Sequence, residues 1–256
     1  MSATSGAWPC RTLARDWQPR LARTGAGCFG GAALDLGGTL MTGSSVTETV
    51  RAMGGSLKEF ATLTRACWAG TVGHTTAAAA LFTLLLSRGP VTRPQLQAMF
   101  IETRLRPSVQ ALIARMRDTG YQVSLISSSF DLFVGVVASC LGVRDHYANT
   151  CLDFDDSDAL TGVGVTIRAT ELKHRQLHHF CRLHQLDPTN ILAIGDSDND
   201  LAMFTCTGNG VLLSHPHTRH LHSSAWRVAA ALDDLAALLL PGRPEPAPAM
   251  RKGRRR

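Results

Sequence analysis

Four stretches of this chain carry side chains whose types and spacing suit one kind of chemistry. Asp35 is followed by Gly37, Gly38 and Thr39, and Ser127, Ser128 and Ser129 form a hydroxyl triplet behind an apolar run. Lys173 lies on a polar, helix-forming segment, and in Gly195-Asp196-Ser197-Asp198-Asn199-Asp200 the carboxylates Asp196 and Asp200 stand one helical turn apart. A carboxylate at a strand end, beside glycines, can serve as a nucleophile toward phosphorus. A serine hydroxyl and turn N–H groups would hold phosphoryl oxygens, much as a helix N-terminus does. Lys173 would neutralise charge on both, while Asp196 and Asp200 are hard oxygen ligands of the kind Mg²⁺ takes. Such a cation would offset the repulsion between a carboxylate and a phosphate. Each residue alone is ordinary turn or cap chemistry; their weight lies in the combination.

These residues need elements that bring them together. Apolar runs predict strands at Phe29–Leu34, Tyr121–Ile126, Asn190–Ile194 and Gly210–Leu213, each followed by a turn or polar signal. From Val46 to about Leu105 the pattern is helical, with caps at Ser56–Glu59 and Thr92–Gln95. Further helices are predicted from Pro107 to Thr119, Asp131 to Leu141, Thr170 to His184 and Val228 to Leu240. The acidic stretch Asp153–Asp158 reads as a hairpin or exposed loop. Strands alternating with helices predict an α/β fold with a mainly parallel sheet. The helix-only block 46–105 is too long for a loop and reads as an inserted helical cap. The expected organisation is an extension at 1–28, an α/β core at 29–45 and 106–240, the cap at 46–105, and a basic tail at 241–256. Ligands of an open parallel sheet bind at the carboxyl ends of its strands, where three of the polar clusters fall.

The ordered set Leu34-Asp35-x-Gly-Gly-Thr-Leu40, Leu125-Ile-Ser127-Ser-Ser-Phe130, Lys173 and Ile194-Gly-Asp196-Ser-Asp-Asn-Asp200-Leu-Ala-Met-Phe204 resembles the haloacid dehalogenase superfamily. Within it the likeness is to phosphoserine-phosphatase-like hydrolases, over roughly Phe29 to Leu240. The resemblance implies a Rossmann-like parallel-sheet core with an inserted helical cap. It implies an Mg²⁺-dependent hydrolase of a small phosphomonoester, in which Asp35 forms an aspartyl-phosphate that water then hydrolyses. Ser127 and Lys173 would hold the phosphate, with Thr39, Ser128 and Asn199 also on the substrate side. Asp35, Asp196, Asp200 and the Gly37 carbonyl would surround the metal, Asp200 directly or through water. One departure matters. The family's phosphatases carry a second Asp two residues after the nucleophile, as general acid and base, and here that place is Gly37. Its loss should slow leaving-group departure and aspartyl-phosphate hydrolysis by about 10²–10⁴-fold. The residues by which phosphoserine enzymes grip the amino acid have no clean match around Ser44, Ser45, Glu48, Arg51 and Arg65, so phosphoserine is one candidate among small phosphorylated metabolites.

Two other readings compete. Asp35-Leu-Gly-Gly-Thr39 also resembles the phosphate-binding hairpin of sugar kinases of the actin-like fold, but that would leave Lys173 and 195–200 unexplained. A non-catalytic protein that keeps the fold and the phosphate pocket is favoured by Gly37. The histidines invite a metal reading: His174, His178, His179 and His184 share one segment, and His215, His217, His220 and His222 another. Neither group has a carboxylate or cysteine partner close in sequence, so a solvated helix face and a polar loop are expected rather than zinc.

Composition narrows the remaining classes. The formal charge of +6 invites nucleic acid as a partner. Residues 1–28 carry a net +3 and 241–256 a net +5, however, which leaves −2 for 29–240. The basic tail reads as solubilising, and the N-terminal extension as disordered rather than as a targeting segment. Seven scattered cysteines without a C-x-x-C fit a reducing compartment. No apolar run approaches the length of a membrane span. A cytoplasmic protein acting on a small metabolite, without membrane or nucleic-acid partners, is the expectation.

Overall fold

The computed structural model describes residues 29–166 and 168–239. The expectations for 1–28 and 241–256, and the last residue of the predicted closing helix, lie outside the described residues.

The sequence Gly-Ala-Ala-Leu of β1 (Gly31–Leu34) is buried throughout, as a central parallel strand with cover on both faces must be. β1 pairs in parallel with β2 (Gln122–Phe130) on one side and β5 (Ile191–Gly195) on the other. β3 (Asp145–Phe154) and β4 (Leu160–Val165) continue the sheet beyond β2, and β6 (Gly210–Leu213) and β7 (Arg227–Ala229) beyond β5. The order is β4-β3-β2-β1-β5-β6-β7, antiparallel only between β3 and β4. The chain therefore builds outward from β1 in one direction and then returns to its other side. That reversal opens a crevice at the carboxyl ends of β1 and β5, the usual place for a ligand in an open α/β sheet.

Alternation along the strands sorts the core into two layers. Ala32, Leu34, Leu192, Ile194, Val211 and Leu213 face one side, with α5 (Val109–Asp118) and α6 (Asp131–Leu141) packed there. Ala33, Ile191, Ala193 and Leu212 face the other, against α7 (Ala169–Leu183) and α8 (Leu201–Thr207).

Four helices lie between β1 and α5: α1 (Ser45–Ala52), α2 (Leu57–Trp68), α3 (His74–Leu85) and α4 (Arg93–Ile101). The polar residues that predicted their starts do cap them. Ser56 accepts from the Glu59 N–H, and Thr92 and Gln95 form a reciprocal capping box. Leu81, Leu84 and Leu85 of α3 and Leu96 and Phe100 of α4 belong to the same buried cluster as Leu34 and Phe130. Phe100 meets Phe133 edge-on at 5.2 Å. Arg93, at the start of α4, donates to Asp158 at 2.8 Å and so joins these helices to the β3–β4 hairpin.

Three segments depart from the sequence reading. β2 does not stop at Ile126 but runs through the serine triplet, because β3 offers it a ladder partner as far as Phe130, across a bulge. The helix expected from Val228 is instead β7 followed by a 3-10 segment at Leu232–Leu239. Alanines at 229–231 favour helix locally. The open edge of β6 takes Arg227–Ala229 as a strand, and the Asp234 carboxylate accepts the Ala230 and Ala231 N–H groups at 2.8 and 2.9 Å. A 3-10 segment at Pro216–Ser224, carrying most of the second histidine group, was not foreseen. Among the described residues no helix is long and apolar enough to cross a membrane.

Candidate active site

Three of the four polar stretches reach the crevice for a clear structural reason. Asp35 directly follows β1, and its N–H donates to the Ile194 carbonyl at 2.9 Å, extending the β1–β5 ladder by one rung. Asp196 directly follows β5 and stands beside it. Lys173 occupies the apolar stripe of α7: positions 173, 177, 180 and 181 recur at helical spacing, and Leu177, Phe180 and Cys181 bury the rest of the stripe. The lysine at its N-terminal end is thereby aimed along the core toward the strand ends.

The result is a tightly bonded group of charges. Lys173 Nζ donates to Asp35 Oδ1 at 2.6 Å and to Asp200 Oδ1 at 2.7 Å. All three side chains are buried, Lys173 being 1% and Asp200 0% exposed. The other oxygen of Asp200 accepts the Asp196 and Ser197 N–H groups at 3.0 and 3.1 Å and the Ser197 hydroxyl at 3.2 Å. Thr39 donates to Asp196 Oδ1 at 3.2 Å and lies 3.5 Å from Asp35 Oδ2.

Two glycines make this closeness sterically possible. A Cβ on Gly195 would stand 2.2 Å from Asp200 Cγ. At Gly38 a Cβ would stand 1.9 Å from Asp196 Oδ2, and its φ of +78° disfavours any other residue. Gly37 is different. Its φ is ordinary, and a Cβ there would meet nothing nearer than the Gly43 carbonyl at 3.5 Å.

Three carboxylates face one ammonium, a net negative charge in a buried place. Burial, only partly countered by Lys173 and reinforced by Asp200 and Asp196, pushes the Asp35 carboxyl up to about 7. Burial and then Asp200 push Asp196 up to about 6. Burial opposes the Lys173 ammonium, yet Asp200 and Asp35 outweigh it and hold its pKa above the ordinary lysine range. Ligand oxygens of Asp35, Asp196 and Asp200 lie within 4.8 Å of one another. This all-oxygen, acidic donor set fits a hard divalent cation, which would relieve the unbalanced charge.

The remaining expected residues lie on neighbouring elements, and their bonds run to other partners. Ser127 is buried on β2, and its hydroxyl accepts the Ser129 N–H at 3.3 Å. Ser128 accepts from the Asn149 amide at 3.3 Å, and Ser129 bonds Ser45 at the start of α1. Asn199 is half-buried in the 3-10 turn Asp198–Asp200. Two residues join that the sequence did not single out for the site. Arg106 donates to the Thr39 and Gly38 carbonyls at 2.9 and 2.8 Å, fixing the turn after β1. His215, just after β6, places Nε2 at 3.1 Å from the Gly38 carbonyl and 3.5 Å from Asp196 Oδ2. Its place on a strand end was the available signal; Arg106 offered none beyond preceding Pro107. The histidines thus have partners that are remote in sequence: His215 and His220 face Asp196 and Asp198, His184 faces Asp145, and His178 faces Cys206.

Fold and site define a haloacid dehalogenase-like hydrolase: that family's model matches residues 32–205, and the chain belongs to the family. Within it the similarity is to phosphoserine phosphatases. The one from Streptomyces coelicolor is 29% identical over 178 residues, covering 70% of this chain and 42% of its own length. The one from Albidiferax ferrireducens is 28% identical over 185 residues, covering 70% of this chain and 76% of its own. Among solved structures, a HAD family hydrolase from Salmonella enterica serovar Typhi matches with TM-score 0.70 at 19% identity, over 84% of this chain and 72% of that one. A phospho-aspartyl intermediate analogue of phosphoserine phosphatase matches with TM-score 0.66 at 19% identity, over 82% and 98%. The sugar-kinase reading is set aside by the family match.

Proposed function

We propose that the chain hydrolyses a small phosphomonoester, with Mg²⁺, through an aspartyl-phosphate on Asp35, and that phosphoserine-like metabolites are its substrate class. The observation that carries this reading is the lysine bridge between Asp35 and Asp200, beside Asp196, at the carboxyl ends of β1 and β5. An Asp35 oxygen attacks phosphorus, the ester P–O bond breaks, and its electron pair leaves with the alcohol oxygen, which takes up a proton from solvent water. Water then cleaves the acyl phosphate and frees Asp35. Lys173 holds Asp35 Oδ1, which leaves Oδ2 as the oxygen free to attack. It also adds positive charge beside the incoming phosphoryl group. Asp35, Asp196 and the Gly37 carbonyl would hold Mg²⁺, which as a Lewis acid neutralises charge on the phosphoryl oxygens. Both oxygens of Asp200 are already engaged, which favours its acting on the metal through water or by orienting Lys173. Ser127, with Ser128, Thr39 and Asn199, supplies phosphate contacts, and α1–α4 act as a cap over them.

Gly37 leaves the leaving group without a carboxylic acid to protonate it, so turnover is slow. It also favours a second reading, a phosphate-binding homologue without turnover. Phosphatase assays with Mg²⁺ separate the two. Asp35→Asn is expected to abolish activity, and Gly37→Asp, for which the backbone has room, to raise it by about 10²-fold or more. A rate untouched by Asp35→Asn would overturn the catalytic reading. No turnover by the native chain together with saturable phosphate binding would support the binding reading.

A further inference from the structure

We propose that His174, His178 and Cys206 form a zinc-type cation site that clamps α7 to α8, separate from the acidic crevice. The sequence places His174 and His178 one helical turn apart, on the stripe of α7 next to the buried one that carries Lys173 and Leu177. What it could not place is the third ligand. α8 packs against α7 and brings Cys206 to it from 28 residues away.

The two closest distances are near those that a tetrahedral ion imposes. With Zn–N of about 2.0–2.1 Å and Zn–S of about 2.3 Å, neighbouring ligand atoms sit about 3.3–3.6 Å apart. Here His174 Nε2 and His178 Nε2 are 3.2 Å apart, and His178 Nε2 and Cys206 Sγ 3.4 Å. All three ligand atoms lie within 4.8 Å of one another. Two imidazoles and a thiol form a borderline-soft set, which selects zinc over the Mg²⁺ suited to the three carboxylates. All three side chains are partly accessible, leaving the fourth position to water. On binding, the Zn–S bond forms as the thiol proton passes to solvent.

The consequence is mechanical. α7 carries Lys173 and α8 begins where the Asp198–Asp200 turn ends, so an ion joining the two helices holds the Lys173–Asp200 bridge together. The proposal does not depend on the phosphatase reading.

The test uses the full chain, untagged and stripped with chelator, titrated with Co²⁺ alone and then with Zn²⁺ alone. Tetrahedral Co²⁺ with one thiolate gives intense visible bands and a near-ultraviolet sulfur-to-metal transition, which an all-oxygen site does not. The expected result is that signal at one equivalent, its displacement by Zn²⁺, and Zn²⁺ affinity weakened by more than about 100-fold in Cys206→Ser. The control Cys140→Ser, at an exposed thiol on α6, and Asp35→Asn both keep the signal. A second measurement needs no variant: Zn²⁺ protects Cys206 from alkylation, mapped by mass spectrometry, while Cys140 labels at its unprotected rate. Absence of the thiolate band in the native chain, its persistence in Cys206→Ser, or equal labelling of Cys206 with and without Zn²⁺ would each overturn the proposal.

Discussion

Lys173 is the residue on which the crevice depends. Buried between Asp35 and Asp200, it is what allows two carboxylates to sit in a region with little water. Removing one partner of a buried ionic group leaves the rest uncompensated, which costs about 3–5 kcal/mol. Lys173→Ala should therefore lower stability by about that amount in urea unfolding of the chelator-treated chain. A loss near zero would mean that the carboxylates are already neutral in the absence of metal. The two neighbouring glycines of the first turn have unequal duties. Gly38 is demanded by conformation and by the approach of Asp196, whereas Gly37 is demanded by neither. The fold leaves room for a side chain there.

At the scale of elements, α7 sets the aim of Lys173 through Leu177, Phe180 and Cys181, packed under β1 and β5. Phe180→Ala should destabilise by about 3–5 kcal/mol. Because the stripe also orients the lysine, phosphatase activity measured well below the melting temperature should fall as well. Activity intact alongside the full stability loss would uncouple helix seating from catalysis. Most of this arrangement was legible in the sequence, because β1, β5, α6 and α7 announce themselves by apolar period and by capping or turn residues. Where the reading failed, tertiary partners overrode local preference: an open β6 edge recruited Arg227–Ala229, and β3 drew the serine triplet into β2. The site was legible to the same degree. Asp35, Lys173, Asp196 and Asp200 each stand next to a strong element signal. Arg106 and His215 come from loops whose course depends on what they meet, and Cys206 became a partner of His178 only once α8 lay on α7.

At the scale of the whole molecule, the raised carboxyls tie stability to pH. Between the ordinary value of 3.8 and about 7 for Asp35, or about 6 for Asp196, the folded chain keeps protons that the unfolded chain has released. Stability from these groups therefore declines as pH rises through that window. The raised pKa of Lys173 acts only at higher pH, since its contribution is complete below its unfolded value. Melting temperature in chelator should accordingly fall between about pH 4 and pH 7, and Mg²⁺ should flatten the fall. A rise across that range without metal would contradict the charge balance described for the crevice. The position of β1 has a kinetic meaning as well. The Lys173–Asp35 contact spans 138 positions and the Thr39–Asp196 contact 157, so neither can form until strands from both halves of the chain flank β1. Long loops of this kind close late and slowly. Asp196 and Asp200 share one local turn, but Asp35 is expected to meet them only near the native side of the barrier, and to stay hydrated until then. A cation that quiets their mutual repulsion should slow unfolding and leave the refolding rate nearly unchanged. Stopped-flow unfolding and refolding with and without Mg²⁺ would show it, and equal acceleration of refolding would mean that the crevice is assembled early.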